Sequence, residues 1–218
     1  MSEPDPAPNC CFDEWAAHNA ERARSRETVA PVTSAMLAAL EAVGIDGRSI
    51  LDVGCGTGDL ALAALAHGAT VATGFDLGSG AIENARTLAR ERGLADRATF
   101  EVGDGSVVPL PAADVVVLNR VVCCYPDARG LLDETLGAAR AVFAVSAPVD
   151  RGPVGVWNRI VVGVSNVWYA LRRAKFHGFR VFVHDLAEID ARIRTAGFRP
   201  ASRERRRIVW QISVYERA

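Results

Sequence analysis

The chain has 218 residues, half of them apolar and 23% charged, which is enough for one domain with a sizeable buried core. Its 25 basic and 26 acidic side chains leave a formal charge of -1, so no global field draws it to nucleic acid, and a dedicated nucleic-acid partner is not expected. Lys175 is the one lysine, so any lysine-based chemistry has a single candidate.

Residues 1–11 carry neither a positive start nor an apolar run and read as a disordered leader before a single domain over 12–218. Cysteines stand at Cys10, Cys11, Cys55, Cys123 and Cys124, an odd number without a signal peptide, which fits a reducing cytoplasm better than a disulfide scaffold. The vicinal pairs lack the two-to-four-residue gap usual between zinc ligands, so no metal is expected.

Over 12–45 the pattern is helical, with Met36, Leu37, Leu40 and Val43 at helical spacing before Gly44 and Gly47, and reads as an N-terminal helical cap. Short apolar runs then alternate with amphipathic stretches. SILDVG precedes a helix from about Asp59, TVATGFD precedes a helix to about Arg92, and ATFEVGD is a third strand. ADVVVLN leads through YPD into a helix from about Ala128, and AVFAVSAP is the fifth strand. This rhythm predicts a Rossmann-like α/β fold, a mostly parallel sheet with helices on both faces. A helix over Leu186 to Ala196 and a closing hairpin, RPASRERR with RIVWQISVYER, complete it.

Residues 151–180 interrupt the rhythm and read as an insertion after the fifth strand. Trp157, Ile160, Val161, Val164, Trp168 and Leu171 recur on one helical face, which predicts a buried side: a lid over an acceptor pocket, or equally a packing helix or dimer interface, with shallow membrane attachment a minor third reading. Asn158, Arg159, Ser165 and Asn166 break the apolar run, so stable membrane insertion is not expected. The RERRR run from Arg203 reads as a solvated strand edge that blunts association.

The sharpest local feature is Asp52-Val53-Gly54-Cys55-Gly56-Thr57-Gly58, a strand running into a glycine loop and then a helix. Such a loop at the carboxyl end of a parallel strand lets a ligand approach backbone that no Cβ shields. The dinucleotide pattern G-x-G-x-x-G would need a glycine where Asp59 stands. Asp76, followed by Leu77 at the end of the second strand, is suited to accept hydrogen bonds from two ribose hydroxyls or to cap the next helix. At the third strand end, Asp104 can accept from an exocyclic amine and Gly105 leaves room for a ring.

DVGCGTG, GFD and VGDG together resemble the first three motifs of class I S-adenosylmethionine-dependent methyltransferases, over about Ser49 to Pro148. The resemblance implies a seven-stranded sheet with an antiparallel last strand. It further implies S-adenosylmethionine as cofactor and S-adenosylhomocysteine as product. Gly54, Cys55, Gly56 and Gly58 would then border the methionyl part, with Asp52 near its amine. Asp76 and Leu77 would meet the ribose, Asp104 and Gly105 the adenine, and Asn119 the methionine and acceptor. FDEWAAHNAERAR and RVVCCYPD are similar to small bacterial methyltransferases resembling magnesium-protoporphyrin O-methyltransferase, which carry a His where this chain has Cys124.

The implied reaction is methyl transfer to a small or medium organic acceptor, aromatic or lipophilic, at oxygen or nitrogen rather than carbon. Positioning supplies much of such a rate, so the fold guarantees no catalytic side chain. Tyr125, close to where the methyl would point, and His18, on a helix that can close over the cofactor, are the catalytic candidates. His184 and His177 are alternatives flanking FRVFV. An NAD(P)-dependent oxidoreductase and a catalytically silent cofactor-binding module remain rival readings, and a homodimer is compatible with the sequence.

Overall fold

In the computed structural model, the described residues are 30–172, 179–206 and 209–218. The 1–11 leader with Cys10 and Cys11, residues 12–29 of the 12–45 cap with His18, and Lys175, His177 and Arg207 lie outside them. Helix α1 (Pro31–Ala42) starts on a proline whose fixed φ suits a first helical position, and it buries Met36 and Leu40. Then follow β1 (Ile50–Val53), α2 (Asp59–Ala66), β2 (Ala72–Asp76), α3 (Ser79–Glu91), β3 (Ala98–Val102) and β4 (Ala113–Asn119). A short 3-10 turn (Val122–Cys124) leads to α4 (Arg129–Ala138) and β5 (Ala139–Pro148). The chain closes with α5 (Gly152–Leu171), α6 (Leu186–Thr195), β6 (Phe198–Arg206) and β7 (Trp210–Arg217).

The seven strands lie in the order β3-β2-β1-β4-β5-β7-β6, and only β7 runs against the rest, through antiparallel pairing with β5 and β6. The expected fold and its antiparallel last strand are therefore present. Strand order reverses between β1 and β4, which opens a crevice at their carboxyl ends.

Strands covered on both faces must be apolar on both, and β4 is. Val115 and Val117 join the core under α1, α2 and α3, whereas Val116 and Leu118 join the core under α4 and α6. Phe143 on β5 is fully buried beside the Phe198 ring, 6.3 Å between centroids. The outer strand β6 is mostly exposed and carries Arg203, Glu204, Arg205 and Arg206, the charged edge that the sequence predicts.

Helix α5 departs from expectation. Trp157, Ile160, Val161, Val164, Trp168 and Leu171, expected as a buried face, stand 42–81% exposed. The buried positions are instead Gly155 and Asn158. A Cβ at Gly155 would fall 2.2 Å from the Asp150 carbonyl, so glycine is what lets the helix lie against that backbone. Asn158 Nδ2 donates to the Val149 and Val209 carbonyls at 2.8 and 3.1 Å, and Asn166 exchanges two hydrogen bonds with the Val181 backbone. Polar pegs hold the inner side because the chain beneath offers backbone groups rather than an apolar surface.

Candidate active site

The glycine loop leaves β1 with Gly54, Gly56 and Gly58 all in the left-handed region, at φ of 74°, 56° and 77°. The three differ in what a side chain would meet. A Cβ at Gly54 would sit 2.3 Å from Val121, and one at Gly58 would sit 2.8 Å from the Phe100 ring. At Gly56 it would meet nothing within 4 Å. Two of the glycines therefore let protein pack against protein, and Gly56 alone borders open space. Gly105 belongs with the packed pair, since its Cβ would fall 2.3 Å from Val53.

Asp52 is 2% exposed at the end of β1, and its Oδ1 is a buried oxygen with no hydrogen-bond partner among the described residues. Burial above all, then the negative charges of Asp76 and Asp59, pushes its carboxyl up to about 7, against a smaller opposing pull from the Ala61 amide. A buried acceptor left without a donor carries a substantial penalty, so this oxygen is suited to take a ligand N–H.

Asp76 ties the loop to the second strand. Its Oδ2 accepts the Gly56 N–H at 2.8 Å and its Oδ1 accepts the Gly78 N–H at 2.9 Å, at the start of α3. Leu77 follows, half-buried. Asp104 Oδ1 accepts from Ser106 N–H, Ser106 Oγ and Tyr125 Oη at 2.9, 2.7 and 2.9 Å. Burial opposes the Asp104 charge, but these bonds outweigh it and hold the carboxyl below its usual range. The same contact, after burial, drives the Tyr125 phenol far above its usual range, so it stays a donor and not a base.

Asn119 is engaged at both ends: Nδ2 donates to Thr33 Oγ1 at 3.1 Å and Oδ1 accepts from Ser146 Oγ at 2.9 Å. Ser146 in turn accepts the Arg120 N–H at 2.8 Å, where Arg120 has a φ of 67°, a strained backbone that this bond helps to hold. Cys55 is buried under the loop, its Sγ 3.7 Å from the Gly56 carbonyl, and burial raises its thiol well above the usual range. That keeps it a packing thiol rather than a nucleophile.

The structure thus brings Asp52, the glycine loop, Asp76 with Leu77, Asp104 with Gly105, and Tyr125 to the carboxyl ends of β1 to β4. Asn119 joins them through α1 and β5. His184 donates its Nε2–H to the Tyr125 carbonyl at 3.0 Å, and Phe182 N–H donates to the Cys123 carbonyl at 2.7 Å, so the segment after α5 straps the 122–125 turn. His18 lies outside the described residues. Sequence reasoning missed Ser106, Thr33 and Ser146. Asp-Gly-Ser is an Asx-turn signal that points to Ser106, whereas Thr33 and Ser146 reach Asn119 across 86 and 27 residues with no local signature.

Residues 50–141 match the model of a methyltransferase domain family. Curated relatives include the ribosomal protein L11 methyltransferase of Photorhabdus laumondii, 37% identical over 89 residues, 41% of this chain and 30% of that protein. The corresponding protein of Ectopseudomonas mendocina is 42% identical over 108 residues, 48% of this chain and 37% of its own length. The chain thus spans about a third of the length of these relatives. Among solved structures, magnesium protoporphyrin IX methyltransferase from Synechocystis with bound S-adenosylhomocysteine superposes with a TM-score of 0.73 at 20% identity, covering 95% of this chain and 96% of that one. The [4+2]-cyclase SpnF superposes with a TM-score of 0.69 at 19% identity, over 100% and 99%. Residues 50–141 thus match a methyltransferase domain, and the chain as a whole shares the fold of these solved structures.

Proposed function

We propose that the chain methylates a small or medium organic acceptor, at oxygen or nitrogen. The observations that carry the cofactor half of this reading are the Asp52 Oδ1 without a partner among the described residues and the open space at Gly56. A cationic amine at that oxygen would remove both the missing hydrogen bond and the penalty on the buried charge. Asp76, already fixed by two backbone amides, would meet the ribose next to Leu77. Asp104, with Oδ1 taken and Oδ2 unengaged among the described residues, would accept from the adenine amine.

When bound, the cofactor supplies an electrophilic methyl on a sulfonium. This chain's residues then have to align an acceptor with it and keep water out. Tyr125 serves that reading as a neutral phenol that fixes Asp104, and Asn119 as a fixed post between α1, β4 and β5. His18 remains the candidate base for an acceptor that must lose a proton. The lid assignment for 151–180 rests on the strap that ties α5 to the 122–125 turn, not on its apolar face.

Calorimetry with S-adenosylhomocysteine against NADH separates the methyltransferase reading from the oxidoreductase reading. Binding of the first alone is expected, with Asp76→Ala weakening it by about 1.5–3 kcal/mol. Unchanged affinity in that variant removes the ribose assignment. A labelled-methyl screen should then label small aromatic acceptors. Label on ribosomal protein L11 instead would transfer to this chain the acceptor named for its curated relatives. Tight cofactor binding with no labelled product at all would make it a silent module.

A further inference from the structure

Helix α5 presents its apolar side to the outside. Trp157, Ile160, Val164, Val167, Trp168 and Leu171 are 42–81% exposed, while Asn158 and Asn166 point their amides at protein backbone. An ordinary surface helix does the reverse, and a contiguous apolar face of this length marks a partner surface. Charge says which partner. In sequence, residues 151–184 hold six basic side chains and no acidic one; Arg151 pairs with Asp150 and Asp185 just outside that range, and Arg172 and Arg180 stand exposed. The Arg172 guanidinium lies 4.7 Å over the Trp168 ring, at the rim of the apolar face. No described helix is long and apolar enough to cross a membrane.

We infer that α5 is an interfacial helix that docks the protein on an anionic lipid surface, with Trp157 and Trp168 at headgroup depth and Arg172 against lipid phosphates. Amphipathic helices with aromatic anchors and basic flanks bind in this way. Pairing with a second copy in register would set two like-charged Arg172 rims against each other, whereas lipid phosphate answers that charge. Asn166 holds Val181, and the strap continues through Phe182 to the turn beside Tyr125, so the docked helix adjoins the acceptor side. A lipophilic acceptor would then enter from the bilayer; this last step rests on the proposed methyl transfer, and the docking does not.

The test mixes the full-length chain with vesicles of phosphatidylcholine alone or with about 30% phosphatidylglycerol, read by flotation. Co-flotation with the anionic vesicles, weak on neutral ones and weakened by salt, is expected. Ile160→Glu with Val164→Glu should lower partitioning at least about tenfold at unchanged cofactor affinity and melting temperature. Arg172→Glu, at an exposed rim position, should lower it several-fold on anionic vesicles alone and serves if the double variant fails to fold. A chain that stays in the buffer with anionic vesicles, or an Arg172→Glu variant that floats like its parent, overturns the proposal. A lipid-indifferent dimer that Ile160→Glu converts to monomer overturns it too and gives the face to a second copy. Docking with no methyl transfer to any acceptor would sink the enzymatic reading while leaving this one standing.

Discussion

The β1–β3 side of the sheet and the β5–α5 side place their polar groups in opposite senses. On the first side, carboxylates at strand ends gather inward around a crevice: Asp76 and Asp104 are held by backbone amides or hydroxyls, and Asp52 is buried with one oxygen lacking a partner among the described residues. On the second side, Asn158 and Asn166 turn inward merely to fasten α5, and the apolar residues face out. A buried polar group that is fully satisfied signals attachment, and one left short of a partner signals a ligand. Inward polarity alone does not distinguish a site from a fastening.

The largest expected effect tests the packed glycines. Gly54→Ala puts a Cβ against Val121 at a positive φ and should cost about 3 kcal/mol of stability in urea unfolding. Gly56→Val meets no atom but takes the positive-φ strain alone, so it should cost about 1–2 kcal/mol, less than Gly54→Ala, and abolish cofactor binding. Equal loss of stability in both variants would erase the distinction drawn between them. On the other side, Asn158→Ala leaves the Val149 carbonyl short of a donor, while Val209 keeps the Val149 N–H, and should cost about 2 kcal/mol by the same measurement, with cofactor affinity kept. A loss of cofactor affinity with stability unchanged would make Asn158 part of the site.

The sequence made all seven strands and the switch-point crevice readable for a physical reason. Strands buried on both faces must be apolar runs, and the Asp52 to Gly58 loop needs glycines that nothing else in such a run explains. The outward face of α5 was not readable. Helical spacing of Trp157, Ile160, Val164 and Trp168 reveals that a stripe exists but not which side of it protein covers, and Asn158 looked like an interruption when it is the anchor. The Thr33–Asn119–Ser146 chain was hidden because it links elements far apart in sequence.

The pH response of Asp52 sharpens the comparison next. Its carboxyl is raised from the usual range to about 7 in the folded protein, so its contribution to stability is full below about pH 4 and is lost as pH rises to about 7. A cationic ligand favours the ionised form, so S-adenosylhomocysteine affinity should rise about tenfold between about pH 6 and 8, and Asp52→Asn should flatten that rise. A flat profile for the parent chain would separate Asp52 from the ligand. The smallest effect is Tyr125→Phe, which removes one of three donors on Asp104 and should weaken cofactor binding by about 1 kcal/mol without moving the melting temperature. A drop in turnover of several decades at unchanged cofactor affinity would instead put the Tyr125 hydroxyl on the acceptor.

The placement of β7 between β5 and β6 bears on how the chain is made. Strand β6 reaches the sheet through β7 alone, which the ribosome delivers after it, so the exposed edge of β5 waits through the synthesis of α5, α6 and β6. During that interval the nascent protein holds a finished crevice beside an open apolar edge, the state in which a translating chain recruits chaperones or mispairs with its neighbours on a polysome.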